Sequence, residues 1–181
     1  MRIVAGRWRN RRLAAPKGLS TRPTSDKVRA AVFDLLGDVA GLSVADLFAG
    51  SGALGLEALS RGAKRLVLIE GSASARRCIR ANIEALGAGD QTQLLGRDLN
   101  RGFGFLTGLG PFDLLLADPP YQRGWIERLV GGLDPRVLAP GGRLAIEADI
   151  REAPQQTPAW RVLKQRTYGQ TVITILTPEA R

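Results

Sequence analysis

Apolar positions recur along this chain with two different periods, and the two alternate. The runs SVADLF, KRLVLIE, TQLLG, FDLLLA and GRLAIEAD are short, apolar and bounded by turn residues, so they predict strands. ALGLEALSRG, SASARRCIRANIEALG and QRGWIERLVGGL repeat their apolar residues at helical spacing. Ahead of them, SDKVRAAVFDLLG sets Val28, Ala31, Val32, Leu35 and Leu36 on one helical face behind a candidate Ser25 cap. RIVAG and RRLAAP can pair as a short hairpin, and the glycine-rich residues 101–110 show no clear period. Strands alternating with helices imply a parallel sheet covered on both faces. The end differs: WRVLKQRTY and QTVITILT meet at Gly169 with no helix between them, which predicts an antiparallel pair completing the sheet. The expected fold class is α/β, a mostly parallel, doubly wound sheet.

At 181 residues and 44% hydrophobic content the chain suits one domain, with residues 1–24 as a basic hairpin extension and 25–181 as the core. No apolar run approaches the roughly 20 residues that span a bilayer, and MRIVAGRWRN does not resemble a signal peptide, so a soluble, cytoplasmic protein is expected. There is no histidine and one cysteine, which argues against a zinc site and against Ser-His or Cys-His nucleophiles. Cys78 lies within the helical pattern ARRCIRANIEAL and is expected to be a small buried apolar residue.

Charge is unevenly placed. Residues 1–30 hold nine Lys or Arg against the single acid Asp26, nearly all of the net +9. Such a block attracts a polyanion, nucleic acid above all, and Arg7, Arg9, Arg11 and Arg12 are its candidate phosphate contacts. A solvated basic tail is the bland alternative. Trp8 could stack on a base or anchor the hairpin to the body.

In open sheets of this kind ligands bind beyond the C-terminal ends of the strands, and three features fall there. DLFAGSGALG contains a formal GxGxxG (Gly50, Gly52, Gly55), but Asp46 beside it would repel a pyrophosphate and would suit a ligand carrying an ammonium group; it could also merely cap a turn. Glu70 closes the second strand, where an acid can accept both hydroxyls of a ribose. Asp98 follows the third and could receive an adenine amino group or simply lie on the surface. The fourth strand ends in DPPY. Pro119 and Pro120 lack N–H groups, so Asp118 and the Pro119 carbonyl are acceptors without a competing donor, suited to an exocyclic amine, and Tyr121 could stack on its base.

These residues carry a resemblance. DLFAGSGALG, Glu70 and DPPY are similar to the Rossmann-like (class I) methyltransferases that use S-adenosylmethionine on exocyclic amines of bases. RIVAGRWRNRRL, RPTSDKVRAAVFDLL, DLFAGSGALGLEALSRGA, LADPPY and RTYGQT more narrowly resemble the RsmD family, bacterial enzymes that modify the exocyclic N2 amine of one guanine in 16S ribosomal RNA. The resemblance implies that Asp46 and the turn through Gly50, Ser51 and Gly52 hold the methionine part of the cofactor, Glu70 its ribose, and Asp98 with Leu99 its adenine edge. Phe48, Ala49 and Gly71 join the cofactor-binding set. It further implies that Asp118, Pro119, Pro120 and Tyr121 present the guanine amine, with Arg22, Thr24 and Arg29 near the RNA or the methionine tail. Glu147 matches the family pattern, whereas Ala30 stands where members usually carry Glu.

The implied reaction is one in-line methyl transfer to a base extruded from its stack, leaving S-adenosylhomocysteine. The expected partner is 16S rRNA within the assembling small subunit, with the enzyme a monomer that uses no metal and no membrane. A DNA adenine-N6 methyltransferase and a non-catalytic RNA-binding factor of the same fold are the alternatives, with a dehydrogenase behind both.

Overall fold

The computed structural model describes residues 1–16 and 26–179. Seven strands form one sheet in the order β3-β2-β1-β4-β5-β7-β6: β1 (Ser43–Asp46), β2 (Arg65–Ile69), β3 (Thr92–Leu95), β4 (Phe112–Ala117), β5 (Leu138–Asp149), β6 (Trp160–Tyr168) and β7 (Thr171–Pro178). The first five run parallel, and β7 lies antiparallel to both β5 and β6. Among the described residues four α-helices accompany them: α1 (Asp26–Leu36), α2 (Ala53–Ser60), α3 (Ala73–Leu86) and α4 (Trp125–Gly132). None of the described helices is long and apolar enough to cross a membrane.

The central strands are apolar throughout because both faces are covered. Successive residues alternate between two cores: Leu114 and Leu116 join Phe33, Leu56 and Ile79 on one side, while Leu115 and Ala117 join Leu129, Trp160 and Leu176 on the other. β1 pairs with both β2 and β4, so the chain first winds outward to β3 and then returns to β4. That reversal opens a crevice beyond the C-terminal ends of β1 and β4.

Several expectations need correcting. In α1 the buried face is Arg29, Ala31, Val32, Phe33 and Leu36, while Val28 and Leu35 are only partly covered. Residues 101–110, where the sequence shows no clear period, are organised by short 3-10 turns over Leu99–Arg101 and Gly104–Gly108, with Phe103 and Leu106 buried. Strand β5 begins before GRLAIEAD, at Leu138, with a bulge opposite Phe112 and Leu114 that accommodates Pro140 and the two glycines. Cys78 is half-buried and not in the core; its thiol donates to the Ala14 carbonyl at 3.2 Å, because the core face of α3 falls on Ala75, Ile79, Asn82 and Leu86.

The N-terminal hairpin is built into the body. Its strands meet through Ile3 N–H to Arg11 O (3.0 Å) and Asn10 N–H to Ile3 O (2.9 Å), and Ile3 and Leu13 enter the core. Glu57, fully buried on α2, accepts the N–H groups of Val4 (2.7 Å) and Ala5 (2.9 Å). Gly6 passes so close to α2 that a Cβ there would lie 1.8 Å from the Ser60 carbonyl oxygen, at φ +78°. Asn82 ties the far end of the hairpin to α3 by exchanging hydrogen bonds with the Ala14 N–H (2.8 Å) and carbonyl (3.1 Å).

Candidate active site

Strand β1 ends at Asp46, and the chain then turns through Phe48, Ala49, Gly50, Ser51 and Gly52 into α2. Gly50 (φ 54°) and Gly52 (φ 81°) take left-handed conformations, and Gly52 N–H closes the turn on Ala49 O at 2.6 Å. A Cβ on Gly55 would come within 2.8 Å of Leu66, so the third glycine lets α2 press against β2.

Asp46 is 1% exposed, and its carboxylate accepts the Gly55 N–H at 3.0 Å. Burial pushes its pKa up to about 7; the Gly55 hydrogen bond opposes this, while the charges of Asp118 and Glu70 add to it. Glu70 and Asp118, at the ends of β2 and β4, therefore lie near enough to act on Asp46 at the end of β1. Glu70 spans the turn and the start of α3, accepting the N–H of Gly50 (2.9 Å) with one oxygen and that of Ser72 (2.7 Å) with the other.

Beside Glu70 lies a cavity of about 110 Å³, walled by Phe48, Ile69, Gly71, Leu99, Pro120 and Trp125, with Asp98 at its edge. The Asp98 carboxyl accepts the Asn100 N–H at 2.9 Å, which with the Asn100 side chain holds it below the usual carboxylate range. Phe48 and Trp125 meet edge to face, centroids 5.0 Å apart. The signal for Trp125 in the sequence, a tryptophan opening a helix four residues after DPPY, is too slight to single it out. Arg128 packs over its ring at 4.3 Å and bonds Asn100, linking α4 to the Asp98 turn.

DPPY sits on the same rim. Pro119 is buried, and the Tyr121 hydroxyl donates to the buried Glu147 of β5 at 2.9 Å, with Thr171 Oγ1 3.4 Å away. Partial burial raises the phenol pKa, and the acids Glu147 and Asp118 add to the rise, so Tyr121 stays neutral. After it, Gln122 N–H donates to Glu152 at 2.8 Å.

Other residues sit differently from expectation. The Ser51 hydroxyl donates to the Met1 sulfur at 3.1 Å, while the Ser51 carbonyl takes a hydrogen bond from Asn82, so the N-terminal segment engages this side chain. Arg29 is not an RNA contact: it is 0% exposed, pairs with Asp26 (2.8 Å) and Glu57 (3.7 Å), donates to Arg2 O, and presents no surface to a ligand in solution. Trp8 packs partly buried against the core with Arg7 stacked over its ring at 3.9 Å, the anchoring alternative. Arg9 and Arg12 are exposed, and Arg11, also exposed, reaches the Ala85 carbonyl at 2.7 Å. Arg22, Thr24 and Ser25 lie outside the described residues. The sequence gives no sign of the part Glu57 plays, because its partners come from a segment more than fifty residues away in the chain.

A family model described as Conserved hypothetical protein 95 matches residues 1–177. The chain is 34% identical to the Ribosomal RNA small subunit methyltransferase D of Escherichia coli K12 over 185 residues, covering 100% of this chain and 91% of that one. It belongs to the RsmD family. Among solved structures, a hypothetical protein of Thermus thermophilus superposes with a TM-score of 0.79 at 26% identity, covering 98% of this chain and 99% of that one. A ribosomal protein L11 methylase of Lactobacillus delbrueckii, at TM-score 0.68 and 18% identity over 91% of this chain and 83% of that one, shares the fold. The class I methyltransferase architecture is thus the one this RsmD-family chain adopts, with the turn after β1 and the DPPY loop after β4 facing one crevice.

Proposed function

We propose that this protein transfers a methyl group from S-adenosylmethionine to the exocyclic N2 amine of one guanine in 16S rRNA of the small ribosomal subunit. The observation that carries the reading is the convergence of Asp46, Glu70 and Asp118 on one crevice, close enough that the charges of the other two help to push the Asp46 pKa up. Three neighbouring carboxylates repel a pyrophosphate and favour a cation, which suits a cofactor bearing a sulfonium and an ammonium and opposes a dinucleotide. The cavity beside Glu70, apolar between Phe48, Leu99 and Trp125 and acidic at its ends, has the chemistry of a nucleoside site.

In this reading Asp46 and the backbone of the glycine turn bind the amino-acid end of the cofactor, Glu70 the ribose and Asp98 the adenine edge. When bound, the cofactor supplies an electrophilic methyl group. Asp118 and the Pro119 carbonyl accept the two hydrogens of the guanine amine and orient its lone pair; one N–H proton leaves to Asp118 or water after the new C–N bond forms. Tyr121, neutral and held by Glu147, offers its exposed face to the base. Exposed arginines of the N-terminal hairpin neutralise phosphates and supply affinity.

The test incubates the protein with labelled S-adenosylmethionine and unmethylated small subunits, beside naked rRNA and duplex DNA, and identifies the product nucleoside by mass spectrometry. N2-methylguanosine from subunits, abolished in Asp118→Ala, is expected. Methyladenine in DNA would overturn the substrate, and cofactor binding without transfer to any of them would favour a binding role.

A further inference from the structure

Five large apolar side chains are exposed among the described residues, and three of them, Tyr121, Ile150 and Tyr168, stand together at the C-terminal rim of the sheet. Their proximity follows from the register. Tyr168 and Thr171 face each other across the β6–β7 turn, so their side chains project from the same face, and Thr171 Oγ1 lies 3.4 Å from the Tyr121 hydroxyl. Ile150 N–H donates to Gln170 O at 2.9 Å in the same turn. Gly169, at φ 64°, makes the reversal tight and sets Tyr168 at its shoulder, 41% exposed. Arg166, two residues earlier, occupies the same strand face, is exposed, and takes part in none of the ion pairs among the described residues.

Tyr168 keeps 41% of its surface in water, so part of its apolar area is left available to a ligand. An aromatic face with a guanidinium beside it is the pairing that holds an unpaired nucleotide: the ring stacks on the base and the cation meets its phosphate. Tyr121 already belongs to the DPPY loop, so a nucleotide on Tyr168 would adjoin the one at the reacting centre.

We propose that the β6–β7 hairpin carries a second base-stacking position, Tyr168, with Arg166 as its phosphate contact, holding the nucleotide next to the target base in single-stranded RNA. This rests on the RNA-methylating reading above. It makes the hairpin a determinant of substrate affinity outside the cofactor site and outside the basic N-terminal segment.

The experiment measures methyl transfer to unmethylated small subunits by the wild type, Tyr168→Ala, Tyr168→Phe and Arg166→Ala, together with the cofactor Kd by calorimetry and the salt dependence of RNA binding. Tyr168→Ala is expected to raise the KM for the subunit about 10-fold with the cofactor Kd unchanged. Tyr168→Phe should restore it, because the ring and not the hydroxyl does the stacking. Arg166→Ala should lower the slope of log affinity against log salt by about one. The proposal is overturned if Tyr168→Ala leaves KM within about twofold of wild type, or if it weakens cofactor binding in parallel, which would mark a structural role. If the wild type itself transfers no methyl to RNA, the underlying reading fails, a result distinct from an active wild type that is indifferent to Tyr168.

Discussion

Asp46 and Glu57 lie eleven residues apart in the chain, both almost fully buried, and they are buried in opposite ways. Glu57 has its charge fully answered: two backbone N–H groups from the hairpin, Arg61 at 2.9 Å and Arg29 at 3.7 Å. Asp46 accepts backbone N–H groups but no cation answers it among the ion pairs of the described residues; burial first, and then the charges of Asp118 and Glu70, raise its pKa to about 7. A buried acid surrounded by donors and cations is part of the scaffold. A buried acid facing other acids is the arrangement that the proposed function uses to favour a cationic ligand.

The comparison breaks most sharply at Glu57. Glu57→Ala removes one of the two carboxylates that Arg29 meets, leaving only Asp26, and strands the two hairpin N–H groups, so a loss of about 3 kcal/mol or more is expected in urea denaturation. Hydrogen exchange should show Val4 and Ala5 deprotected.

Asp46→Asn should do the reverse, sparing stability while weakening S-adenosylmethionine binding by more than about 10-fold in calorimetry, the loss of one charge-assisted contact. The wild type should also show a pH dependence that this variant lacks. Because the folded Asp46 pKa lies above its unfolded value of 3.8, the native state holds a proton that the unfolded chain has released; stability is full below about pH 4 and this contribution is lost as pH rises through about 7. A cationic ligand wants the ionised form, so cofactor affinity should climb over the same window. Melting temperature falling toward about pH 8 while affinity rises would establish both signs, and a flat affinity profile would remove Asp46 from the site.

Tyr121→Phe is the mildest change. It removes a hydrogen bond to the buried Glu147, which should cost about 1–3 kcal/mol in denaturation, and should lower kcat more than cofactor affinity as the DPPY loop loses its tether. An unchanged kcat would assign that tether to stability alone.

The strands are legible because a parallel strand covered on both faces must be apolar along its whole length, as FDLLLA and KRLVLIE are. The first part of β5 is not, because Pro140, Gly141 and Gly142 read as a loop, and only the bulge opposite β4 lets them sit in a strand. The acids of the candidate site are legible for a related reason: Glu70 and Asp118 each close an apolar run and Asp46 interrupts one, where folding alone gives no cause for a charge. Arg29 misleads because a basic segment looks alike whether its side chains meet solvent or a buried carboxylate. Trp125 and Tyr168 are ordinary aromatics until the α4 and β6–β7 positions bring them to the rim.

What the sequence determined by itself is the alternation of elements, the sheet they must build and the strand ends at which chemistry can gather, because period and apolar runs are local properties of the chain. What only the tertiary structure decided is which charges answer one another. Hydrogen bonds and ion pairs act over a few ångströms, and the folded chain brings Val4 to Glu57, Tyr121 to Glu147 and Thr171 to Tyr121 across separations that no local pattern records.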